Sequence, residues 1–228
     1  MCREEKNVIK LSEKMKEEFM GKKVRYEHTK ELVLMSVFIA IIVIQAVIPF
    51  LGFIPIGAMN ASLIQVTVAI GAILLGPKCG AGLGFTFGLV SIWKNTFMPN
   101  PTSFCFSPFV STGGFHGDIR SLVISLIPRI GIGLGAWYVY HFFSKRGKQK
   151  IGLLVGGAIA SLINTILVMG FIYLFFGRQY AHATNRAMEG MIVFIMGVIG
   201  TQGVLEAVVT AVITFGVVTS LLKARNHQ

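Results

Sequence analysis

The chain has 228 residues, of which 54% are hydrophobic, with a net charge of +11 and a mean hydropathy of +0.70. Only 14% are charged, about half the proportion typical of soluble domains, and seven of the ten acidic residues precede Leu32. So few charges could not solvate a soluble surface, and we therefore expect an integral membrane protein.

Residues 1–31 alternate basic and acidic side chains, with Leu11, Met15 and Phe19 at spacings of four. This pattern fits either an amphipathic helix on the membrane surface or a solvated tail. The narrow apolar stripe favours a charged cytoplasmic tail. About thirty mixed-charge residues before the first apolar run are not typical of a cleavable signal peptide.

The first apolar run, from about Leu32 to Phe50, is long enough to span a membrane. Ser36 and Ala40 form a pair of small residues on this helix, which allows another helix to approach closely. The pair serves either packing within the chain or docking to a partner membrane protein.

The next two apolar segments are separated by a GPKCG turn. The segment from about Asn60 to Gly76 is short and includes the polar residues Gln65 and Thr67, so one face should meet protein or water. The segment from Gly80 to about Phe97 has one bare face, since glycine recurs there every four residues, at Gly80, Gly84 and Gly88. That spacing predicts close helix packing.

A polar, proline-rich stretch, WKNTFMPNPTSFCFSP, runs from Trp93 to Pro108. It follows a hydrophobic segment and leads into a glycine-rich loop that ends at Asp118. We expect it to form part of the outer mouth of a small-molecule site. Phe104, Phe106 and Phe109 fit equally well as a lid and as side chains packed against helix ends.

Three further helices are predicted, at about 119–143, 151–176 and 191–222. The last exceeds the length of a span, so its start lies outside the bilayer or it breaks near Gly197, Gly200 or Gly203. The fold class is then an all-α integral membrane protein. Residues 32–222 form a six-transmembrane-helix bundle, and residues 223–228 form a C-terminal tail.

The basic residues predict the orientation of this bundle. With the N-terminus inside, sixteen Lys and Arg fall on the cytoplasmic side and four on the outer side. Both termini are therefore expected to be cytoplasmic, and the protein to lie in the cell membrane. Because the net charge follows from this distribution, no nucleic-acid partner is expected.

Polar side chains within membrane helices are costly, so each needs a reason. The last helix carries four such residues at intervals of four: Gln202, Glu206, Thr210 and Thr214. Counted along their helices, Arg129 and Asn164 fall near mid-depth. One interpretation is an Arg129–Glu206 ion pair, with Asn164 as a contact between helices.

The other interpretation is a polar pocket for a small solute, reached from outside past Trp93, Lys94 and Asn95. The two interpretations are compatible, because a buried ion pair can also orient a ligand. If Glu206 neutralises Arg129, Lys94 becomes the better counter-ion for an anionic solute.

Enzyme and metal sites have no support in the sequence. HExxH, GxSxG and paired carboxylates are not found, and neither is a GxxxxGK[ST] loop for ATP. Cys2, Cys79 and Cys105 lie far apart without a CxxC motif, so no metal site is expected. We expect no catalytic residue and no cofactor bound by this chain.

At this point the sequence resembles the substrate-binding (S) components of energy-coupling factor (ECF) transporters. The resemblance covers about 32–222 and rests on the helix pattern, the helix 1 pair, the ILLGPKCGAGLG hairpin and the SLINT motif around Asn164. SIWKNTFMPNPTSFCFSPF and IPRIGIG, around Arg129, are most similar to the pantothenate-specific members.

The resemblance implies a subunit that captures a vitamin on the outer side and docks through helix 1 onto a transmembrane coupling protein with two ATPase subunits, where ATP is used. Ser36 stands where family members often have alanine. Pantothenate has a carboxylate, an amide and two hydroxyls. A cation (Lys94 or Arg129) with the amides of Asn60, Asn95 and Asn164 would match it.

Other solutes and other classes of protein remain alternatives. The same polar groups would suit hydroxymethylpyrimidine, thiamine or riboflavin. A stand-alone secondary transporter is less favoured, because the two halves show no clear internal repeat. An intramembrane enzyme or a scaffold without transport is the third alternative.

Overall fold

The structure, a computed structural model, describes the backbone of residues 29–48, 51–56 and 59–226. Side chains are described in these ranges except at 53–56, 59–61 and 225–226. Most of the N-terminal tail expected over residues 1–31, with Cys2, therefore lies outside the described residues. The chain comprises two units, one ending at Val37 and the other beginning at Phe38.

Most of the described chain is helical. The helices are α1 (Thr29–Val47), α2 (Ile64–Leu75), α3 (Pro77–Phe97), α4 (Ile119–Ser144), α5 (Gln149–Ala183), α6 (Met191–Val198) and α7 (Val204–Asn226). A π-helical turn, Ile199–Gly203, joins α6 to α7, and 3-10 turns lie at Ser103–Cys105 and Met188–Gly190.

Four helical stretches among the described residues are long and apolar enough to cross a membrane: α1, α4, α5 and the stretch Met188–Ala224 that includes α6 and α7. The expectation of a helical membrane protein is confirmed at this level. α2 is shorter, with 12 residues. In the unit that begins at Phe38, α4 packs against α3 and α5, and α7 packs against α5 and α2.

The segment between α1 and α2 differs from the prediction. The first helix ends at Val47 rather than near Phe50, just before Pro49, because a residue that precedes proline disfavours the helical conformation. The expected loop contains an antiparallel hairpin of β1 (Phe53–Ile56) and β2 (Met59–Ser62). α2 therefore begins at Ile64 instead of Asn60.

The turn between α2 and α3 is tighter than GPKCG suggested. Gly76 alone lies between the helices, at a φ of 96° that favours glycine, and Pro77 begins α3. The bare face of α3 is confirmed. A Cβ on Gly84 would meet the carbonyl oxygen of Arg129, and a Cβ on Gly133 would meet that of Gly80. α3 and α4 are therefore in backbone contact.

The start of α4 is confirmed at Ile119, where Asp118 caps the helix. The carboxylate of Asp118 accepts a hydrogen bond from the Arg120 N–H at 2.7 Å, and the backbone N–H of Asp118 donates to Ser121 Oγ at 3.2 Å. This reciprocal cap satisfies N–H groups that the first turn leaves free. A second hairpin, β3 (Ser111–Thr112) with β4 (Phe115–His116), precedes it.

The ends of the last two predicted helices need correction. α5 does not end at Phe176 but continues to Ala183 across a kink at Phe176. Phe176 and Tyr180 are buried in a cluster with Phe104, which keeps this extension folded against the bundle. The last helix does not break near Gly197–Gly203; the helical stretch continues there through the π-helical turn before α7.

Candidate functional site

Gln65 of α2 is the centre of a buried polar cluster. Its side chain is 1% exposed, and its Nε2 lies 3.0 Å from Ser161 Oγ, 3.2 Å from Thr210 Oγ1 and 3.4 Å from Glu206 Oε2. An amide nitrogen has two hydrogens, so these three acceptors share them. The cluster joins α2 to α5 and α7.

Asn164 of α5 belongs to this cluster. Its Nδ2 donates a hydrogen bond to Gln65 Oε1 at 3.3 Å. Its Oδ1 is buried and has no hydrogen-bond partner among the described residues. A buried acceptor left unpaired costs about 1–3 kcal/mol. Asn164 therefore offers an acceptor to a bound molecule.

Glu206 lies on the other side of Gln65 and accepts three hydrogen bonds. Its Oε1 accepts from the Ser62 N–H at 3.1 Å and from Gln202 Nε2 at 3.5 Å, and its Oε2 accepts from Gln65. The π-helical turn lies directly before this part of α7, and such turns often mark functional sites. Glu206 also fastens the end of the first hairpin to α7.

Arg129 and Glu206 do not form the ion pair that was one interpretation of the sequence. The side chains that the structure describes include no salt bridge between them, although the two charges attract each other across the interior. Glu206 takes its partners from Ser62, Gln65 and Gln202 instead.

Arg129 is buried, with 6% of its surface exposed. Its Nη1 donates to the Ile124 carbonyl at 2.6 Å. Pro128 explains this bond, because proline has no N–H to donate to the carbonyl four residues earlier. The guanidinium carbon lies 5.3 Å from the centre of the Phe106 ring and 5.6 Å from that of Phe87.

The Nε of Arg129 has no partner within the described chain. Hydrogen bonds from a guanidinium to a carboxylate are among the strongest available to a protein. A buried arginine that contacts aromatic rings and one carbonyl, with an unused donor, is suited to bind an anionic group.

The polar stretch after Trp93 is held together by its own side chains. Asn95 donates through Nδ2 to the Ser91 carbonyl at 2.8 Å, and its Oδ1 accepts from Ser103 Oγ at 2.8 Å. Thr96 Oγ1 and Ser107 Oγ lie 2.7 Å apart. The structure thus uses both ends of the Asn95 amide to shape the loop.

Two serines of α4 fasten this loop above Arg129. Ser121 Oγ donates to the Phe104 carbonyl at 2.7 Å, and Ser125 Oγ donates to the Phe106 carbonyl at 2.6 Å. Because Ser121, Ser125 and Arg129 lie at intervals of four on α4, the two serines form a loop-binding surface that leads to Arg129.

The phenylalanines of the loop have different roles. Phe104 is fully buried and packs against Phe115 and Phe176. Phe106 covers the guanidinium of Arg129, and Phe109 is 78% exposed. Phe104 is therefore a packing residue and Phe106 forms a wall of the site, whereas Phe109 does neither.

The remaining predicted residues lie apart from the cluster or outside the description. Trp93 is 43% exposed and pairs with Phe97 on α3, and Lys94 is half-buried in the last turn of that helix. Asn60 lies opposite Pro55 in the first hairpin, and its side chain lies outside the described residues. Ser36 and Ala40 are both exposed on α1.

The residue that sequence reasoning missed is Gln65. The sequence indicates only a polar residue in a short segment, whereas in the structure Gln65 joins three helices. Its signal was its place in a helix whose other buried residues are mostly apolar. Ser62 was missed because its contribution is a backbone N–H, which no sequence pattern reveals.

The cysteines and histidines form no second site in the described chain. Cys79 and Cys105 are both buried, and burial raises the pKa of the Cys105 thiol. No group of three or more His, Cys, Asp or Glu side chains suited to a metal is found among the described residues. His182 packs edge-on against Phe115.

Comparisons with known proteins agree with this architecture. The chain matches a family model described as ECF transporter, substrate-specific component, over residues 30–218. It is 32% identical over 201 residues to the pantothenic acid transporter PanT of Lactococcus lactis subsp. cremoris (strain MG1363), covering 87% of this chain and 96% of that protein. It is 30% identical over 198 residues to the pantothenate transporter PanT of Leuconostoc mesenteroides subsp. mesenteroides (strain ATCC 8293), covering 85% and 92%.

A solved structure shares the fold. It is the S-component for biotin from an ECF-type ABC transporter, with a TM-score of 0.50 and 17% identity over 84% of this chain and 92% of that one.

Proposed function

Because this chain belongs to the family of ECF transporter substrate-specific components, we propose that it binds pantothenate at the Arg129–Asn164 region and delivers it to the cytoplasm. The observation that carries this proposal is a pair of buried polar atoms, Arg129 Nε and Asn164 Oδ1, that have no hydrogen-bond partner among the residues that the structure describes. One is a donor with a positive charge and the other is a neutral acceptor. Two relatives named as pantothenate transporters support the choice of solute.

The chemistry of pantothenate suits these two atoms. Its carboxylate would accept charge-assisted hydrogen bonds from Arg129. Its amide N–H or one of its hydroxyls would donate to Asn164 Oδ1. Its branched apolar part would contact the Phe87 and Phe106 rings that lie beside the guanidinium. Apolar walls with a few placed polar groups are typical of small-molecule sites.

The proposed arrangement in the membrane has six spans, with α2 and α3 completing the four long apolar stretches. Both termini are cytoplasmic, and the Trp93–Pro108 stretch faces outward. The supporting observation is the sixteen-to-four division of Lys and Arg between the two sides. In this arrangement the solute enters past the loop that Ser121 and Ser125 hold.

The proposed partner is a transmembrane coupling subunit that carries two ATPase subunits, on which α1 docks. Ser36 and Ala40 are small and exposed, so a partner helix can approach closely. The hydroxyl of Ser36 donates to the Leu32 carbonyl at 2.9 Å, which leaves no unpaired donor there toward lipid or partner. ATP is used by the partner subunits, and this chain binds no cofactor.

The experiment that tests the solute is to identify what co-purifies with the protein by mass spectrometry and to titrate the emptied protein with pantothenate. We expect pantothenate to be recovered and to bind. Recovery of a flavin, thiamine or a hydroxymethylpyrimidine would replace pantothenate in this proposal. Gradient-driven uptake by the reconstituted chain alone, without ATPase partners, would contradict the proposed mechanism.

A further inference from the structure

The hydrogen bonds that connect Glu206 to Asn164 run in one direction. Among the described residues, the Glu206 oxygens have three partners, the N–H groups of Ser62, Gln65 and Gln202, which can only donate. Gln65 therefore turns its nitrogen toward Glu206. Its oxygen is left on the other side, where it accepts from Asn164 Nδ2. Asn164 in turn keeps an acceptor, Oδ1, that has no hydrogen-bond partner among the described residues.

The hydroxyls around Gln65 do not determine this direction. Ser161 Oγ and Thr210 Oγ1 lie within hydrogen-bonding distance of Gln65 Nε2. A hydroxyl can accept from an amide nitrogen or donate to an amide oxygen by rotating its hydrogen. Either orientation of the Gln65 amide would satisfy them. Glu206, which accepts from Gln65, is the group that distinguishes the two orientations.

We propose that Glu206 is a specificity-determining residue that acts through Gln65, holding the Asn164 amide with its oxygen free so that the site selects a solute with an O–H or N–H donor there. This proposal rests on the proposed function, since it concerns the same site. It assigns Glu206 and Gln65 as positioning residues that need not touch the solute. Pantothenate has three candidate donors, one amide N–H and two hydroxyls.

The substitution Glu206→Gln should reverse this chain of hydrogen bonds while keeping its shape. The new amide oxygen can still accept from the Ser62 N–H, but its nitrogen then faces the nitrogen of Gln65. Two facing N–H groups repel, so Gln65 turns over and presents its nitrogen to Asn164. Asn164 turns over too and presents Nδ2 to the solute.

Adding Gln65→Glu to Glu206→Gln should restore the original direction. A carboxylate at position 65 accepts from the residue 206 amide on one side and from Asn164 Nδ2 on the other. Asn164 Oδ1 then faces the solute again. The double variant keeps the wild-type number of charges in the cluster and exchanges their positions.

The experiment measures dissociation constants of the purified full chain for pantothenate and for three analogues that each lack one donor. The analogues are the N-methyl amide and the two O-methyl ethers. In the wild type we expect at least one analogue to bind about 10-fold or more weakly, the effect of one buried unpaired acceptor. The ratio of the analogue's dissociation constant to that of pantothenate should fall close to one in Glu206→Gln. It should return to the wild-type value in the Gln65→Glu/Glu206→Gln double variant.

The matched control is Thr214→Val, on the same helix. The Thr214 hydroxyl is buried and has no hydrogen-bond partner among the described residues. It takes no part in the chain from Glu206 to Asn164, so this variant should keep the wild-type ratio. A general loosening of α7 would instead change the ratio in the control as well.

Three outcomes would overturn the proposal. They are a wild type that binds all three analogues as tightly as pantothenate, a Glu206→Gln variant with the wild-type ratio, and a double variant that does not recover the wild-type ratio. If folded wild type fails to bind pantothenate, the proposed function fails separately. The chain of hydrogen bonds from Glu206 to Asn164 is then tested by thermal unfolding without solute. Gln65→Glu alone should lower Tm, because two carboxylates meet, and adding Glu206→Gln should reverse that loss. If the Tm changes of the two substitutions simply add, the proposed chain of hydrogen bonds is wrong.

Discussion

Two charges inside the bundle, the buried Arg129 and the partly buried Glu206, differ in the number of hydrogen bonds that they form. Glu206 accepts hydrogen bonds from three N–H groups on three different parts of the chain. Within the described part of the chain, Arg129 makes one hydrogen bond, to a carbonyl of its own helix that Pro128 leaves free, and its Nε has no partner. A buried charge with a full set of partners stabilises the fold, whereas one with few partners is available to a ligand.

Arg129→Ala should have the largest effect on the affinity for the solute. It removes charge-assisted hydrogen bonds to the solute carboxylate, each worth about 1.5–3 kcal/mol, so pantothenate should bind about 10- to 100-fold more weakly. Stability should fall less than in Glu206→Ala, because one buried carbonyl, that of Ile124, loses its side-chain donor. Calorimetric titration and thermal unfolding of the same preparation measure both effects.

Two control variants sharpen the result for Arg129. Arg120→Ala removes an exposed arginine whose partner is Asp118 at 3.7 Å, and it should leave binding unchanged. Lys94→Ala tests the alternative counter-ion. A larger loss of affinity with Lys94→Ala than with Arg129→Ala would transfer the anion-binding role to Lys94 and refute the comparison.

Glu206→Ala should lower the stability of the fold. It leaves the N–H of Ser62 and the amide nitrogen of Gln202 without their acceptor, at about 1–3 kcal/mol for a buried unsatisfied group, and it removes one of the three acceptors near Gln65 Nε2. We therefore expect a lower unfolding temperature than for Arg129→Ala. The measurement is thermal unfolding in detergent without solute. Equal stability of the two variants would remove the distinction between a partnered and an available charge.

The contrast between the two charges was only partly predictable from sequence. Spacing along the helices selected Arg129 and Asn164, which are buried, and Glu206, which is partly buried, because polar residues are rare within membrane helices. Which of them pair depends on tertiary contacts. Gln65 and the Ser62 N–H reach Glu206 from positions more than 140 residues earlier in the chain.

The boundaries of the helices were likewise predictable only where they depend on contacts within a short stretch of the chain. The start of α4 was predictable because Asp118 and Ser121 form a local cap. The end of α5 was not, since its extension past Phe176 depends on burial of Phe176 and Tyr180 against Phe104 in a distant loop. Local hydrogen bonds can be anticipated from sequence, and contacts between remote segments cannot.

Pro128→Ala should have a smaller effect on binding and tests why Arg129 points where it does. Alanine supplies an N–H that can donate to the Ile124 carbonyl, in competition with Arg129 Nη1. Since one neutral hydrogen bond contributes about 0.5–1.5 kcal/mol, we expect affinity to change about 2- to 10-fold, with stability equal or higher. A fall in affinity as large as that for Arg129→Ala would mean that Pro128 shapes the site by itself.

Ala40→Trp should have the smallest effect on solute binding and a large effect elsewhere. Ala40 is exposed on α1 and makes no hydrogen bond to the polar cluster within the described chain. A bulky side chain there should prevent a partner helix from approaching Ser36 and Ala40, while titration with pantothenate gives the wild-type affinity.

Co-purification with the coupling subunit and its ATPases measures the loss of assembly, and Ala40→Gly is the matched control that keeps the surface small. Normal assembly of the Trp variant would place the docking surface elsewhere, and a loss of affinity would show that the exposed face of α1 and the interior charges are not independent.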